Sequence, residues 1–259
     1  MRLRLLVMIV AAALAVPSVA SAQQAAETDR ANDVQEDELV TDRPSFTESS
    51  STVPTGRLQL EAGLGYTYFD MLDGLHAFDG PNLLARVGLA DFAELRLGAP
   101  NVLYTELGDD LTETNFGEAS LGAKFATALA DQIRVGVISF VEIGVDDADM
   151  GGGLIGTFAY DVTADLGVAV NAGLTGAQNP ADEFDLEGSV SLTAAYGITD
   201  KLGVFLESYV LIPEDDTDFF VDTGVTYLVA PLVQLDAFVG TDVPDADAIF
   251  GGAGISVLF

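Results

Sequence analysis

Residues 250–259 read FGGAGISVLF and have the pattern of a membrane strand. Ala253, Ile255, Val257 and Phe259 are apolar and alternate with small residues, apart from Leu258. Strict alternation predicts a β-strand with one apolar face. An apolar last strand with an aromatic carboxy-terminus is typical of bacterial outer-membrane β-barrels, in which it closes the barrel beside the first strand. The stretch therefore predicts eleven earlier strands and an export signal.

The first 22 residues have the features of a secretory signal peptide. Arg2 and Arg4 precede an apolar run over residues 5–16, and Ala20-Ser21-Ala22 forms an A-x-A cleavage site. The apolar run is too short to span a bilayer, which disfavours the alternative of an anchor helix. We expect cleavage after Ala22 and export to the periplasm of a Gram-negative bacterium.

Composition agrees with a barrel and excludes other classes. The chain is 49% hydrophobic, but after residue 22 its apolar residues are interleaved with polar ones and form no run long enough for a transmembrane helix. The net charge of −31 excludes a nucleic-acid binder, whose surface is basic. There is no cysteine, so no disulfide is possible. We expect no cofactor.

The alternation predicts an all-β fold, a transmembrane antiparallel up-and-down β-barrel of twelve strands over residues 57–259. No charged residue falls on the apolar face of a predicted strand, and the strands are longer than those of the alternative, a soluble β-sandwich. The predicted strands are 57–69, 81–89, 93–104, 116–126, 133–143, 153–162, 166–175, 184–196, 202–210, 219–228, 235–241 and 250–259.

Alternate links between these strands are long and acidic, and contain no Lys or Arg. The first are residues 70–80 and 105–115. Longer links lie outside the cell in barrels of this type. The densest carboxylates are candidate weak Ca²⁺ or Mg²⁺ ligands, with a solvated surface as the alternative: Asp146, Asp147, Asp149, Glu214, Asp215 and Asp216.

The polar face of the strands predicts the side chains that line the barrel interior. Two interpretations remain open: a polarised lumen that orients a solute, or a set of salt bridges among buried charges. The predicted lining residues are Glu61, Arg86, Glu94, Arg96, Glu118, Lys124, Arg134, Glu142, Glu187, Glu207, Tyr209, Asp222 and Asp236.

Residues 23–56 have no strand pattern and are predicted to form a periplasmic linker. Within them, residues 41–49 read TDRPSFTES. This motif is a candidate plug that folds into the lumen through Asp42, Arg43, Pro44 and Phe46, with Arg43 facing the acidic strands of the second half.

The same region carries a resemblance to a known family. Residues 42–47 (DRPSFT), 53–56 (VPTG) and 59–63 (QLEAG) resemble the start of the outer-membrane "transporter" family named after the meta-pathway of phenol degradation. The resemblance implies an outer-membrane barrel that passes small hydrophobic or aromatic compounds.

The sequence therefore favours an outer-membrane channel for passive passage of small solutes. The alternative is a structural or adhesion barrel with cation-binding acidic loops. Predicted partners are membrane lipid, lipopolysaccharide bridged by divalent cations, the barrel-assembly machinery through Phe259, and a small solute. An enzyme is disfavoured because the one histidine, His76, falls in a predicted outer loop, away from any serine in the wall, and no motif joins it to Asp70 or Asp73.

Overall fold

The computed structural model describes residues 39–70, 74–108, 111–145, 149–179, 184–214 and 217–259. The regular structure in these ranges is almost entirely β-strand. None of the described residues belongs to a helix with the length and apolarity needed to cross a membrane.

The described residues contain fourteen strands. In chain order they are β1 Leu58–Phe69, β2 Leu75–Ala90, β3 Ala93–Ala99, β4 Val102–Leu107, β5 Leu111–Phe116, β6 Glu118–Ala130, β7 Ile133–Gly144, β8 Met150–Asp161, β9 Leu166–Gln178, β10 Phe184–Gly197, β11 Leu202–Ile212, β12 Asp218–Ala230, β13 Val233–Val243 and β14 Ala248–Leu258.

Twelve of these strands form a closed antiparallel barrel. Each pairs with its neighbours in sequence, with β3 followed by β6, and β1 pairs with both β2 and β14. The closing register runs from Gln59 opposite Leu258 to Phe69 opposite Ala248. The N–H of Phe259 donates to the carbonyl of Leu58 over 2.8 Å. The predicted twelve-stranded barrel is confirmed.

Strands β4 and β5 extend the wall beyond β3 and β6. β2 pairs with β3 through its second half and with β4 through its first half. The break lies at Pro100, which has no N–H to donate to the ladder. The N–H of Gly117 bonds the carbonyl of Asn101 over 3.0 Å and bridges the gap. The extra strands therefore form a projecting hairpin of the same wall.

The prediction of loops at residues 70–80 and 105–115 is largely wrong, because most of the described residues in these two ranges belong to strands. The placement of His76 in a loop is also wrong: it lies in β2, opposite Tyr68. Acidic residues obscured the alternation, which continues through Leu75 and Ala77 on the inner face. Both side chains are buried.

The barrel has two distinguishable ends. Tight turns join β2–β3, β6–β7 and β12–β13 at the end where the barrel begins and closes, which we call the turn end. At the other end, the loop end, lie the strand ends that flank residues 71–73, 109–110, 146–148, 180–183 and 215–216, and these residues themselves are outside the described ranges.

The sidedness of the wall is the reverse of that in a water-soluble protein. Outward side chains such as Leu64 and Leu206 are 62% and 65% exposed, whereas Arg86 and Lys124 are 0% exposed in the interior. An apolar outer surface suits lipid, and buried charges require partners inside. This arrangement contradicts the soluble β-sandwich alternative.

Candidate functional site: the barrel interior

The barrel interior is filled by residues 39–56, which we call the interior segment. Thr41 and Asp42 are fully buried, and the segment contains no strand. Its contacts reach strands far apart around the barrel: Gln234 of β13 donates to the Thr41 hydroxyl over 3.0 Å, and Asn171 of β9 donates to the Glu48 carbonyl over 3.2 Å. The segment therefore crosses the lumen.

The segment enters from the turn end. The N–H of Gly56 bonds the carbonyl of Gly88 over 2.8 Å. A Cβ on Gly88 would lie 2.1 Å from the carbonyl oxygen of Pro54, so only glycine permits this approach. Val53 packs with Leu39 and Leu258 beside the closing strand.

A charged cluster centred on Asp42 holds one side of the segment. The Lys124 ammonium lies 2.8 Å from Asp42 Oδ1, Arg86 lies 3.2 Å from Oδ2, and Arg96 also contacts Oδ2. The Asp42 N–H donates to both oxygens of Glu61, over 3.0 and 3.1 Å. Strands β1, β2, β3 and β6 thus all meet at this one residue.

The cluster contains three cations and four carboxylates. Arg86 donates to Glu94 and to Glu61 over 2.9 Å each, and Arg96 donates to Glu48 over 3.1 Å. Burial raises the pKa of Glu48 to about 8, and the nearby Asp42 charge adds to this effect. Two of the four carboxyl groups, Asp42 and Glu48, belong to the interior segment, and the other two belong to the wall.

The pKa of Asp42 is shifted in the opposite direction. Burial alone would raise the pKa of its carboxyl, but Arg86, Lys124 and Arg96 together hold that pKa well below its usual value. Asp42 is therefore the anion that balances the wall cations, and the wall would keep unpaired positive charge if the segment left.

Arg43 contacts the strands on either side of the barrel closure. Its guanidinium lies 3.1 Å from Asp236 of β13. It also covers Gly63 and Gly254, which pair directly between β1 and β14. A Cβ on either glycine would fall 2.1–2.3 Å from the guanidinium. The two glycines therefore form a flat seat for Arg43.

An aromatic wall lies on β11–β14. Phe46 of the interior segment stacks on Tyr209, with centroids 4.3 Å apart and planes 9° apart. Tyr209 stacks on Phe220 at 4.8 Å, and Phe220 meets Phe250 edge-on at 6.0 Å. Phe238 lies 6.4 Å from Phe250. Offset or parallel stacking of this kind adds to the free energy of burial.

Glu207 anchors the backbone beside this aromatic wall. Its carboxylate accepts the N–H groups of Phe46 and Thr47, the latter over 2.7 Å, and also the Thr47 hydroxyl. Thr193 donates to the same carboxylate over 2.6 Å. Asp222 lies directly opposite Glu207 on the next strand and is 5% exposed.

The remaining predicted lining residues are not brought to the segment. Glu118, Glu142 and Glu187 lie towards the loop end and are partly exposed. Arg134 pairs with Asp161 at 2.7 Å near the turn end. The structure therefore divides the predicted set into a central group around the segment, three carboxylates towards the loop end, and Arg134 near the turn end.

The candidate metal ligands are mostly outside the described residues. Asp146, Asp147, Asp215 and Asp216 lie there, and Asp149 and Glu214 are described. Within the described parts of the chain, no group of three or more His, Asp or Glu side chains is placed to hold a metal ion. His76 is on the outer wall, where its Nδ1 lies 2.8 Å from the Tyr66 hydroxyl.

Sequence reasoning missed several interior residues. Glu48 and Thr47 lie within the segment predicted to be the plug, but they are not among its four candidate contact residues. Phe220 and Phe238 were also missed, although each lies two residues from a predicted inward carboxylate. That spacing was the available signal, because side chains two apart share one face of a strand.

Comparison with known proteins places the chain in a family. The sequence profile of the family described as "Putative MetA-pathway of phenol degradation" matches residues 41–259. The chain belongs to this family. The match includes both the segment inside the lumen and the whole barrel. No curated protein matches the chain in sequence.

Solved structures share the fold of this family member. An outer membrane channel from Pseudomonas putida F1 superposes with a TM-score of 0.65 at 11% identity, covering 81% of this chain and 98% of that one. The KdgM porin in complex with disordered oligogalacturonate has a TM-score of 0.55 at 12% identity, covering 76% and 98%. The chain therefore has the fold of outer-membrane channels.

Proposed function

We propose that this protein is a plugged outer-membrane channel for passive passage of small hydrophobic or aromatic solutes. The barrel supplies the passage, and the interior segment is the plug. The names of the similar proteins support this proposal: one is an outer membrane channel, one is a porin, and the family is named after phenol degradation.

The observation that carries the proposal is the apolar tract inside the wall. At the loop end, Phe69, Leu75 and Ala248 form a buried cluster with Leu103 and Leu107 packed against it. The inner face of β14 continues from Ala248 to Phe250, which joins the Tyr209–Phe220 stack. A barrel with only a structural role has no need to line its interior with aromatic rings.

The polar contacts of the segment suit a removable plug. Most are ion pairs and hydrogen bonds to side chains of the wall, and no disulfide can form because the chain has no cysteine. The wall side chains that hold the segment belong to strands with continuous ladders of their own. The segment can therefore leave while the barrel stays closed.

The cellular arrangement follows from the same proposal. Residues 1–22 direct export, the turn end faces the periplasm, and the acidic loop end faces outward, where divalent cations link it to lipopolysaccharide. Negative charge at the outer opening attracts cations and raises their local concentration. The assembly machinery recognises the strand that ends in Phe259.

Liposome swelling with two glucosides tests the solute class. Phenyl β-glucoside and methyl β-glucoside both cross lipid slowly, and they differ by an aromatic ring. In a variant lacking residues 23–55, we expect the phenyl compound to enter faster than its size alone would predict. Phe220→Ala in the same variant should remove this preference.

Rates that follow size alone would contradict an aromatic route. Absence of swelling with either compound, in a barrel that still shows heat-modifiable migration on a gel, would contradict the channel and favour the structural or adhesion alternative. Arg134→Gln is a suitable control because Arg134 pairs with Asp161, away from the aromatic wall.

A further inference from the structure

The contact between Phe46 and the wall has the form of a ligand in a binding site. The phenyl ring stacks on Tyr209 at 4.3 Å, and the backbone N–H of the same residue donates to Glu207. Ring, Cβ, Cα and nitrogen together form the skeleton of a 2-arylethylamine. The interior segment therefore presents to the wall an aromatic ring and a hydrogen-bond donor at a fixed spacing.

The wall at this point has two buried carboxyl groups that no cationic side chain of the described residues contacts. Glu207 and Asp222 lie opposite each other on β11 and β12 and are 1% and 5% exposed. Among the described residues, neither is in an ion pair with Lys or Arg. Asp222 Oδ1 is buried without a hydrogen-bond partner. A buried carboxylate oxygen without a partner is costly, so the site lacks a donor that a cation would supply.

On the opposite side of the lumen, by contrast, the buried carboxylates have cationic partners. There Asp42, Glu61 and Glu94 meet Arg86 and Lys124, and the charges are paired within the protein. Only the aromatic side combines stacked rings with carboxylates that have no cationic partner among the described residues. A cation over or beside aromatic rings is favourable, and the two carboxylates strengthen the preference.

We infer that Tyr209, Phe220, Glu207 and Asp222 form a binding site for arylalkylammonium solutes, which Phe46 occupies when the plug is seated. The solute ring replaces the Phe46 ring on Tyr209. Its ammonium replaces the N–H donors at Glu207 and supplies the missing donor to Asp222. Solute and plug therefore compete, and the solute promotes opening.

This inference rests on the proposed function, because the site becomes accessible only when the interior segment leaves. It goes further by naming the solute class. Anionic aromatic compounds are excluded, since a carboxylate placed beside Glu207 and Asp222 adds like charge and has no donor to offer.

Binding to the Phe46→Ala variant tests the site directly. Calorimetry in detergent would compare 2-phenylethylamine with 3-phenylpropionate, which carries the opposite charge, and 2-cyclohexylethylamine, which lacks the aromatic ring. We expect 2-phenylethylamine to bind Phe46→Ala at least tenfold more tightly than the wild type. We expect about tenfold weaker binding of the cyclohexyl compound and none of the carboxylate. Adding Glu207→Gln should abolish the gain.

A matched control keeps the interpretation specific. Phe238→Ala removes a ring of the same size from the lumen, and Phe238 contacts Phe250 rather than Phe46. This variant should bind 2-phenylethylamine no better than the wild type. Equal binding of the amine and the carboxylate, or equal gains in Phe46→Ala and Phe238→Ala, would overturn the inference.

Proteolysis of the unmodified chain gives a second test that needs no variant. A glutamate-specific endoproteinase cleaves after Glu48 only when the segment leaves the lumen, since Glu48 is 2% exposed. We expect 2-phenylethylamine to accelerate this cleavage at least threefold and 3-phenylpropionate to leave it unchanged. Equal rates would overturn the inference.

The channel function and the solute class can be contradicted separately. If the truncated barrel conducts but the amine neither binds nor accelerates cleavage, the channel stands and the solute class is wrong. If the amine binds but no variant conducts, the site stands and the channel is wrong.

Discussion

Replacing Asp42 by Asn should release the interior segment while leaving the barrel intact. The substitution keeps the shape of the side chain and the backbone N–H bonds to Glu61. It removes the charge that contacts Lys124 at 2.8 Å and Arg86 at 3.2 Å, and that also contacts Arg96. The wall cations then face an amide that donates hydrogen bonds as well as accepting them.

The magnitude follows from the burial of the pair. Removing one partner of a buried ion pair costs about 3–5 kcal/mol. The lower end applies here because Glu61 and Glu94 remain beside Arg86. A loss of about 3 kcal/mol shifts the docking equilibrium by about two orders of magnitude, at about 1.4 kcal/mol for each tenfold change.

Open probability in a planar bilayer is the primary readout for Asp42→Asn, and the rate of cleavage after Glu48 by a glutamate-specific endoproteinase is the second. The open probability and the cleavage rate should each rise by at least tenfold and by about a hundredfold at most. Asp161→Asn is the matched control, because it removes a carboxylate paired with Arg134 at 2.7 Å on the wall. A change below threefold in Asp42→Asn would refute the reasoning, as would an equal change in the control.

Three further outcomes follow from the same contacts. Gly254→Ala should displace the Arg43 guanidinium, which would lie 2.3 Å from the new Cβ, and should speed cleavage after Glu48 at least threefold. Gly156→Ala, where the nearest atom is 3.8 Å away, should not. In the docked segment the pKa of Glu48 is raised to about 8, so the protonated form of Glu48 favours docking. Docking should therefore weaken, and open probability should rise, as the pH rises from about 4.5 to 8. Glu48→Gln should flatten this dependence of open probability on pH. Phe259→Ser should lower the amount of heat-modifiable barrel in outer membranes, while in-vitro refolding should change little, because the Phe259 N–H bond to β1 uses the backbone.

Alternation along the strands was enough to predict the fold. A residue two positions from a charged one shares its face, so the positions of Arg86, Lys124 and Glu207 could be assigned to one face without coordinates. The loop-end hairpins were harder, since acidic residues interrupt the apolar pattern of β2, β4 and β5. Their strand character depends on ladder pairing with neighbours, which local sequence does not reveal.

Most of the individual contacts inside the lumen could not be derived from the sequence. Asp42 lies 44 positions from Arg86 and 82 from Lys124, and their meeting depends on the register of four strands. Arg43 was expected to face acidic strands of the second half, and the structure pairs it with Asp236. Its seat on Gly63 and Gly254 depends on barrel closure, because the two glycines belong to the first and the last strand.

Single-channel conductance of the mature chain, with and without residues 23–55, tests the central claim most directly. The account predicts rare, brief openings in the full mature chain and long-lived openings after truncation, with cation selectivity from the carboxylates left in the lumen. Equal conductance in the two forms would contradict the plug, and no conductance in either form, with a heat-modifiable barrel in both, would contradict the channel itself.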